Sequence, residues 1–172
     1  IIQTFTSRHI RKNRYEIIRD DIISDLFYQH VSSKVLEDDW TVDELEKALL
    51  ADYGANIPIS KSIDEGLDLV RVLEITLNGF ATAHETKEKA IGKENMRTFE
   101  KAVMLRALDH HWKEHLAIMD QLRQSVNLRG YGQKNPVQEF KRESFSMFTE
   151  LLDTINGEIV KDLCSMNLEQ VS

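Results

Sequence analysis

The sequence predicts an all-α fold, because helix breakers are scarce and apolar residues repeat at the spacing of helical turns. The 172 residues include only 2 prolines and 7 glycines, which cannot punctuate many short strands. Hydrophobic residues make up 41% of the chain and charged residues 30%, a balance that excludes collagenous and wholly disordered proteins. The length suits one ordinary domain, or two small ones that share a core.

The first two helices are predicted from an apolar stripe and from a start signal. Apolar residues over 10–27 fit a helix with one buried face. Thr41 and Glu44 have the spacing of a capping box, which should start a second helix. Residues 54–58 contain a glycine and a proline, and we expect the second helix to end there.

A third helix is predicted after this break. Ser62 and Glu65 form a second possible capping box, and Leu67 would be the first apolar residue of the helix that follows. Glycine weakens a helix interior, so we expect a bend or a restart near Gly92.

The C-terminal part carries two apolar stripes with a seven-residue repeat. The first stripe lies in a predicted helix over about 94–127, and the second follows the short loop 128–136. Two such stripes predict an antiparallel helical hairpin that packs like a coiled coil. Trp112 should bury much of its ring against the second helix. The residues predicted to meet, which we call the hairpin seam, are Leu105, Leu108, Trp112, His115, Met119, Leu122, Phe145, Phe148, Leu152 and Ile155.

The loop between the stripes is unusual, because two glycines flank one aromatic residue. Glycine lowers the cost of bending on both sides of Tyr131, so the ring can contact a partner outside the hairpin. Alternatively, the ring folds back onto the apolar end of the hairpin, although Arg129 and Lys134 favour an external contact. A phosphate-binding loop is disfavoured, since the Walker pattern is missing. We call this loop the tip; it comprises Leu128, Arg129, Gly130, Tyr131, Gly132, Gln133 and Lys134.

The charge of the chain argues against a general nucleic-acid binder, which needs a basic surface. The net charge is −7, and it is unevenly distributed: residues 37–52 sum to −6 and residues 123–142 to +4. Both stretches are either solvated faces, or the basic one meets an acidic or anionic partner. No run of about 18 uncharged apolar residues occurs, so the sequence predicts no membrane span.

Residues 111–115 read H-W-K-E-H and fit H-x-x-E-H, an inverted zinc-protease signature. Both histidines share a helix face, but His115 belongs to the hairpin seam. We therefore expect His115 to be buried and hydrogen-bonded, and the sequence suggests no third ligand. These points predict no metal site. Cys164 is the only cysteine, which excludes an internal disulfide and suggests a small core residue or a free thiol.

Many individual residues resemble the C-terminal helical region of the SecA family, the bacterial ATPase motors that drive secretory proteins through the SecYEG channel. The resemblance is dense over 94–152 and includes loop and surface residues that helix packing does not dictate. Over 1–93 the order and lengths of the helices suit the helical wing domain of that family. The matching stretches are Met96–Lys101, Leu108–Asp109, Trp112–Leu116, Met119–Asp120, Leu122–Gln124, Leu128–Tyr131, Gln133–Lys134 and Lys141–Phe148.

The resemblance implies two domains. Residues 1–93 would be the helical wing, with the end of a preceding scaffold helix, and 94–172 the two-helix finger of the helical scaffold domain. In the SecA family the finger reaches into the cytoplasmic mouth of the channel, its tip tyrosine (here Tyr131) contacts the translocating preprotein, and the helical pair restrains the motor ATPase.

The resemblance therefore implies a non-catalytic mechanical and regulatory module of an export motor. Its implied partners are SecYEG, secretory preproteins and the rest of the motor, with no nucleic acid. The implied location is the bacterial cytoplasm, peripheral at the inner face of the cell membrane. The nucleotide-binding motor domains are absent from these residues, so no cofactor is expected here, whereas the full-length proteins use ATP and Mg.

The sequence is also compatible with two other functions. The chain could be a free-standing helical adaptor whose hairpin binds a partner by helix packing. It could also be a metal-dependent hydrolase built on the H-x-x-E-H run. Metal analysis separates the hydrolase from the others, and substitution of Tyr131 separates a function of the tip from one of the hairpin's flank.

Overall fold

The computed structural model describes residues 14–32, 40–129 and 135–167, and these residues form helices and no strand, which confirms the all-α prediction. The part of the N-terminal stripe before residue 14 lies outside them. The helices are α1 (Arg14–His30), α2 (Val42–Tyr53), α3 (Ile59–Asp64), α4 (Leu69–Ile91), α5 (Lys93–Arg129) and α6 (Pro136–Ser165).

Helix α2 begins and ends where the sequence predicts, but its capping box does not form. Thr41 is the N-cap residue, yet its side chain makes no capping hydrogen bond. The Thr41 hydroxyl instead lies 2.7 Å from Nδ1 of His30, at the end of α1. At the other end Gly54 adopts the left-handed conformation (φ +65°) and its N–H donates to Leu50 O at 3.0 Å.

The second predicted capping box is wrong. Ser62 lies inside the short helix α3, and its hydroxyl contacts Pro58 O at 3.3 Å instead of capping a new helix. The chain then turns at Gly66, where φ is +78°. Helix α4 begins at Leu69 with Asp68 as its N-cap residue, so Leu67 lies in the connection.

The restart predicted near Gly92 is confirmed. Gly92 has φ +89° and ψ 147°, a conformation that favours glycine, and it separates α4 from α5. Its N–H still donates to Glu88 O at 2.9 Å, which satisfies one of the last carbonyls of α4.

The chain divides into two compact units, residues 1–97 with 160–172 and residues 98–159. In the first unit α1 packs against α2 and α4, and α3 packs against the same two helices. The predicted family domains 1–93 and 94–172 are not tested by this division and stay a prediction. The most buried apolar side chains of the first unit are Tyr15, Ile23, Phe27, Val31, Leu45, Leu49, Ile59, Val72, Met96, Val160 and Leu163.

The last turns of α6 belong to the first unit, where a lysine holds their carbonyls. Lys87 Nζ donates to Cys164 O at 2.6 Å, at a helix end that leaves carbonyls without intrahelical partners. The Tyr15 hydroxyl lies 3.4 Å from Sγ of Cys164, which is a free cysteine. Burial raises the pKa of the Cys164 thiol and lowers the pKa of the Lys87 ammonium. These residues, with Tyr53 and His84, line a cavity of about 280 Å³.

Among the described residues, the helices are all too short or too polar to cross a lipid bilayer.

Candidate functional site

Within the second unit, α5 and α6 run in opposite directions. His111 on α5 contacts the Glu158 carboxylate on α6, whereas the ring of His115, one turn further along α5, lies 6.2 Å from the Phe148 ring. The partner on α6 therefore comes earlier in the chain as the position on α5 advances. Contacts in this reversed order are those of the antiparallel hairpin that the sequence predicts.

The interior of the hairpin is centred on a histidine with aromatic neighbours. His115 is 8% exposed, and its ring centroid lies 5.6 Å from the Trp112 ring. This confirms the burial that the sequence predicts for His115. The other buried apolar side chains of this unit are Val103, Ala107, Leu122, Val126, Leu151, Ile155 and Ile159.

Much of the predicted hairpin seam is exposed, so this part of the prediction is wrong in its helical phase. The buried stripe of α5 advances by four residues from Val103 to Ala107, and then by eight to His115, which places the predicted Leu105 and Leu108 outside it. A strict seven-residue repeat drifts around a helix with 3.6 residues per turn, and on α5 the step of eight from Ala107 to His115 shifts the buried face out of that repeat. The seam residues that are 42–74% exposed are Leu105, Leu108, Trp112, Phe145, Phe148 and Leu152.

The residues of the H-x-x-E-H run are not brought together as a zinc-protease site. His115 lies in the hairpin interior, whereas His111, one turn earlier, contacts two carboxylates: its Nε2 contacts Glu158, and its Nδ1 lies 3.6 Å from Glu114. His110 joins this group, with its ring centroid 5.0 Å from that of His111. In the described part of the chain, the potential metal ligands that lie within 4.8 Å of one another are His110, His111 and Glu114.

The predicted tip lies mostly outside the described residues, which end at Arg129 and resume at Asn135. Tyr131, Gly130, Gly132, Gln133 and Lys134 therefore stay predictions. Leu128, in the last turn of α5, is 74% exposed. On the other side Pro136 takes the first position of α6, as its fixed φ favours, and Asn135 Oδ1 accepts a hydrogen bond from Val137 N–H at 3.1 Å.

Sequence reasoning missed two groups of residues. The Lys87 contact with Cys164 joins positions 77 residues apart, and no local pattern could reveal it. Arg19, only 1% exposed, pairs with Asp20 at 2.9 Å and lies 5.6 Å from the centroid of the Tyr15 ring. The stripe over 10–27 runs past Arg19 without signalling its burial, because an arginine on an amphipathic helix normally faces solvent.

The chain combines a small helical unit with a two-helix hairpin, which defines it as an all-α protein with a hairpin module. Residues 3–167 match the family model described as SecA Wing and Scaffold domain. The chain therefore belongs to the SecA wing and scaffold family.

Relatives of this chain bear the name protein translocase subunit SecA, and three of them illustrate the similarity. The chain is 48% identical over 159 residues to the protein of Vesicomyosocius okutanii, and 50% identical over 159 residues to that of Ruthia magnifica. Each alignment covers 92% of this chain and 18% of the relative. The protein of Methylococcus capsulatus is 46% identical over 147 residues, which is 84% of this chain and 16% of the relative. The chain thus spans less than a fifth of these relatives.

Proposed function

We propose that this chain is the non-catalytic mechanical and regulatory part of a SecA protein-export motor. Its hairpin tip contacts the translocating polypeptide at the SecYEG channel, and the motor acts peripherally at the inner face of the bacterial membrane. The observation that carries this proposal is the family match over 3–167, in relatives named as translocase subunits. ATP and Mg would be bound by the remainder of the full-length protein.

The ends of the two hairpin helices support a contact role for the tip. Leu128 is the first residue of the tip and Val137 follows the tip in sequence; they are 74% and 61% exposed, so both apolar side chains are available to a partner. A tyrosine between such residues can contact an extended chain of almost any sequence, because its contact is mostly apolar area plus one hydroxyl. An export motor needs that tolerance, since its substrates share little sequence.

The experiment replaces Tyr131 with alanine in the full-length protein and measures translocation of a preprotein into membrane vesicles. We expect translocation to fall about tenfold or more, with folding and basal ATP turnover unchanged, whereas Tyr131→Phe keeps most activity. Tyr28 is a matched control, because it is 46% exposed on α1, in the other compact unit. Normal translocation by Tyr131→Ala, or an equal loss in Tyr28→Ala, would contradict the role of the tip.

The exposed apolar flank of the hairpin supports the regulatory part of the proposal. Leu105, Leu108, Trp112, Phe145 and Leu152 offer apolar surface that the rest of the motor can cover. If this contact restrains the ATPase, Trp112→Ala should raise basal ATP turnover in the full-length protein. Lys113→Ala is the control, since Lys113 is its exposed neighbour in sequence. Unchanged turnover in Trp112→Ala would remove the restraint from the proposal.

The same flank also favours a second candidate function, that of a helical adaptor that binds a partner through the side of the hairpin. The two candidates predict opposite sensitivities. An adaptor loses partner binding when Phe145 or Leu152 is replaced and tolerates Tyr131→Ala. A translocation module is impaired by Tyr131→Ala even when the flank is intact.

A further inference from the structure

His110, His111 and Glu114 form a group of potential metal ligands that the proposed export function does not use. Their ligand atoms lie within 4.8 Å of one another on consecutive turns of α5. Two imidazoles and one carboxylate are the donor set that suits zinc and neighbouring transition metals. His110 and Glu114 are exposed, so their side chains can rotate to the separation of about 3.3 Å that tetrahedral zinc requires.

The hydrogen bond between the two helices prepares His111 to bind a cation. An ionised carboxylate only accepts, so Nε2 of His111 carries the proton that is donated to Glu158. In the neutral ring Nδ1 is then a lone pair, and it faces the Glu114 carboxylate at 3.6 Å. Two acceptors that face each other at this distance can both donate a lone pair to one metal ion placed between them.

We propose that His110, His111 and Glu114 bind one divalent transition-metal ion, for which Zn²⁺ is the probe, and that Glu158 orients His111. A ligating histidine that donates its other N–H to a carboxylate is the usual support of a metal site, and it also strengthens the imidazole as a ligand. The three ligands lie on α5 and the orienting carboxylate lies on α6. A bound ion therefore strengthens the contact between the two hairpin helices.

The site differs from the H-x-x-E-H set in one residue that experiment can distinguish. His115 has the spacing of a ligand in that motif, but its ring is buried and lies beside those of Trp112 and Phe148. His110 lies outside the motif and belongs to the proposed site. Metal binding that depends on His110, and not on His115, identifies the proposed set.

The test measures zinc binding to the full-length protein by competition with a chromophoric chelator. Any other metal site of that protein is common to all variants. The quantity compared is therefore the difference between parent and variant in bound zinc ions per polypeptide. We expect His110→Gln and Glu114→Gln each to bind about one Zn²⁺ fewer per polypeptide than the parent. Glu158→Gln should keep the ion with an affinity about 10–100-fold lower.

Asp109→Asn removes a neighbouring exposed carboxylate that pairs with Lys113 and should leave zinc binding unchanged. Zinc should raise the melting temperature of the parent more than that of His110→Gln, with equal helical circular dichroism before zinc is added. The proposal is overturned if His110→Gln binds as much zinc as the parent, or if His115→Gln loses the ion while His110→Gln retains it.

Discussion

At the scale of single residues, the depth of burial decides how much an apolar side chain of the hairpin contributes to stability. Leu122 is 4% exposed and Trp112 is 42% exposed, although both were expected in the hairpin seam. Complete burial of a leucine is worth about 2–5 kcal/mol against alanine, and the larger tryptophan about 3–5 kcal/mol. Because Trp112 is partly exposed, we expect its replacement by alanine to cost less stability than the replacement of the smaller Leu122.

We expect Leu122→Ala to lower the free energy of unfolding by about 2–4 kcal/mol and Trp112→Ala by about 1–2 kcal/mol. The measurement is urea denaturation followed by circular dichroism, because loss of Trp112 removes a fluorescent probe. A loss in Trp112→Ala that exceeds the loss in Leu122→Ala would show that the indole is buried in solution.

The thiol of Cys164 makes the stability of the first unit depend on pH. Burial raises its pKa above the ordinary 9.0, so the unfolded state loses the proton at lower pH than the folded state. The contribution of the protonated thiol to the free energy of unfolding is fully present below pH 9.0. It is lost as the pH rises through the pKa of the thiol in the folded state. We expect the free energy of unfolding to fall more steeply above pH 9.0 in the parent than in Cys164→Ala.

Lys87 and Tyr53 also titrate at high pH, but both are present in the parent and in the variant. Burial shifts the pKa values of both groups more than the neighbouring thiol does, so the difference between the two curves reports the Cys164 thiol together with its coupling to Lys87 and Tyr53. Parallel curves between neutral pH and the onset of alkaline unfolding would mean that the thiol titrates alike in both states.

The sequence predicted helix ends well where a glycine forms them. It predicted side-chain contacts poorly where the partner lies outside the residue's own helix. Gly54 and Gly92 end their helices as expected, since both adopt positive φ. Thr41 was predicted to cap its own helix, but its hydroxyl contacts His30, a competitor that a local spacing rule does not consider. Lys87 and Cys164 meet only in the folded chain.

At the scale of helices, the break between α4 and α5 depends on one glycine. A Cβ at Gly92 would meet no atom within 4 Å, so crowding is not the restriction there. The restriction is the backbone, because φ +89° with ψ 147° lies in a region that residues with a side chain rarely occupy.

We expect Gly92→Ala to lower the free energy of unfolding by about 1–3 kcal/mol. Gly157→Ala is the matched control: this glycine lies inside α6 with open space at its Cβ, and alanine there should stabilise by about 0.5–1 kcal/mol. Thermal and urea denaturation of both variants checks the pair. Stabilisation by Gly92→Ala would mean that α4 and α5 can join into one helix.

The long helices were predictable and the details of their packing were not. Helix α5 spans Lys93–Arg129, close to the expected 94–127, because apolar residues recur along it without a breaker. Seven-residue spacing placed Leu105 and Leu108 in the interior, whereas Val103 and Ala107 are buried. Apolar residues occur on more than one side of α5, so the pattern alone could not choose the face that α6 covers.

At the scale of the whole molecule, the two compact units should respond separately to loss of core side chains. Leu163 is 1% exposed in the first unit, and Leu151 is 8% exposed in the second. Both lie on α6, so the same substitution on the same helix samples either unit.

We expect Leu163→Ala to lower amide hydrogen-exchange protection mainly in α1 to α4, and Leu151→Ala to lower it mainly over 98–159. Each leucine should cost about 2–4 kcal/mol of local stability. Hydrogen exchange followed by mass spectrometry of peptides distinguishes the two patterns. Equal loss of protection in both units from either substitution would show that they unfold as one.

The antiparallel pairing of α5 and α6 also restricts how the hairpin can change length in evolution. Insertion of one residue into α5 rotates all later side chains by about 100° around the helix axis. Insertion of about seven residues, two turns, between His115 and the tip nearly restores the phase, but then the part of α6 between the tip and Phe148 must gain the same number. Otherwise pairs such as His115 with Phe148 no longer lie opposite each other. Insertions and deletions in homologous hairpins should therefore be matched on both helices, in steps of about seven residues.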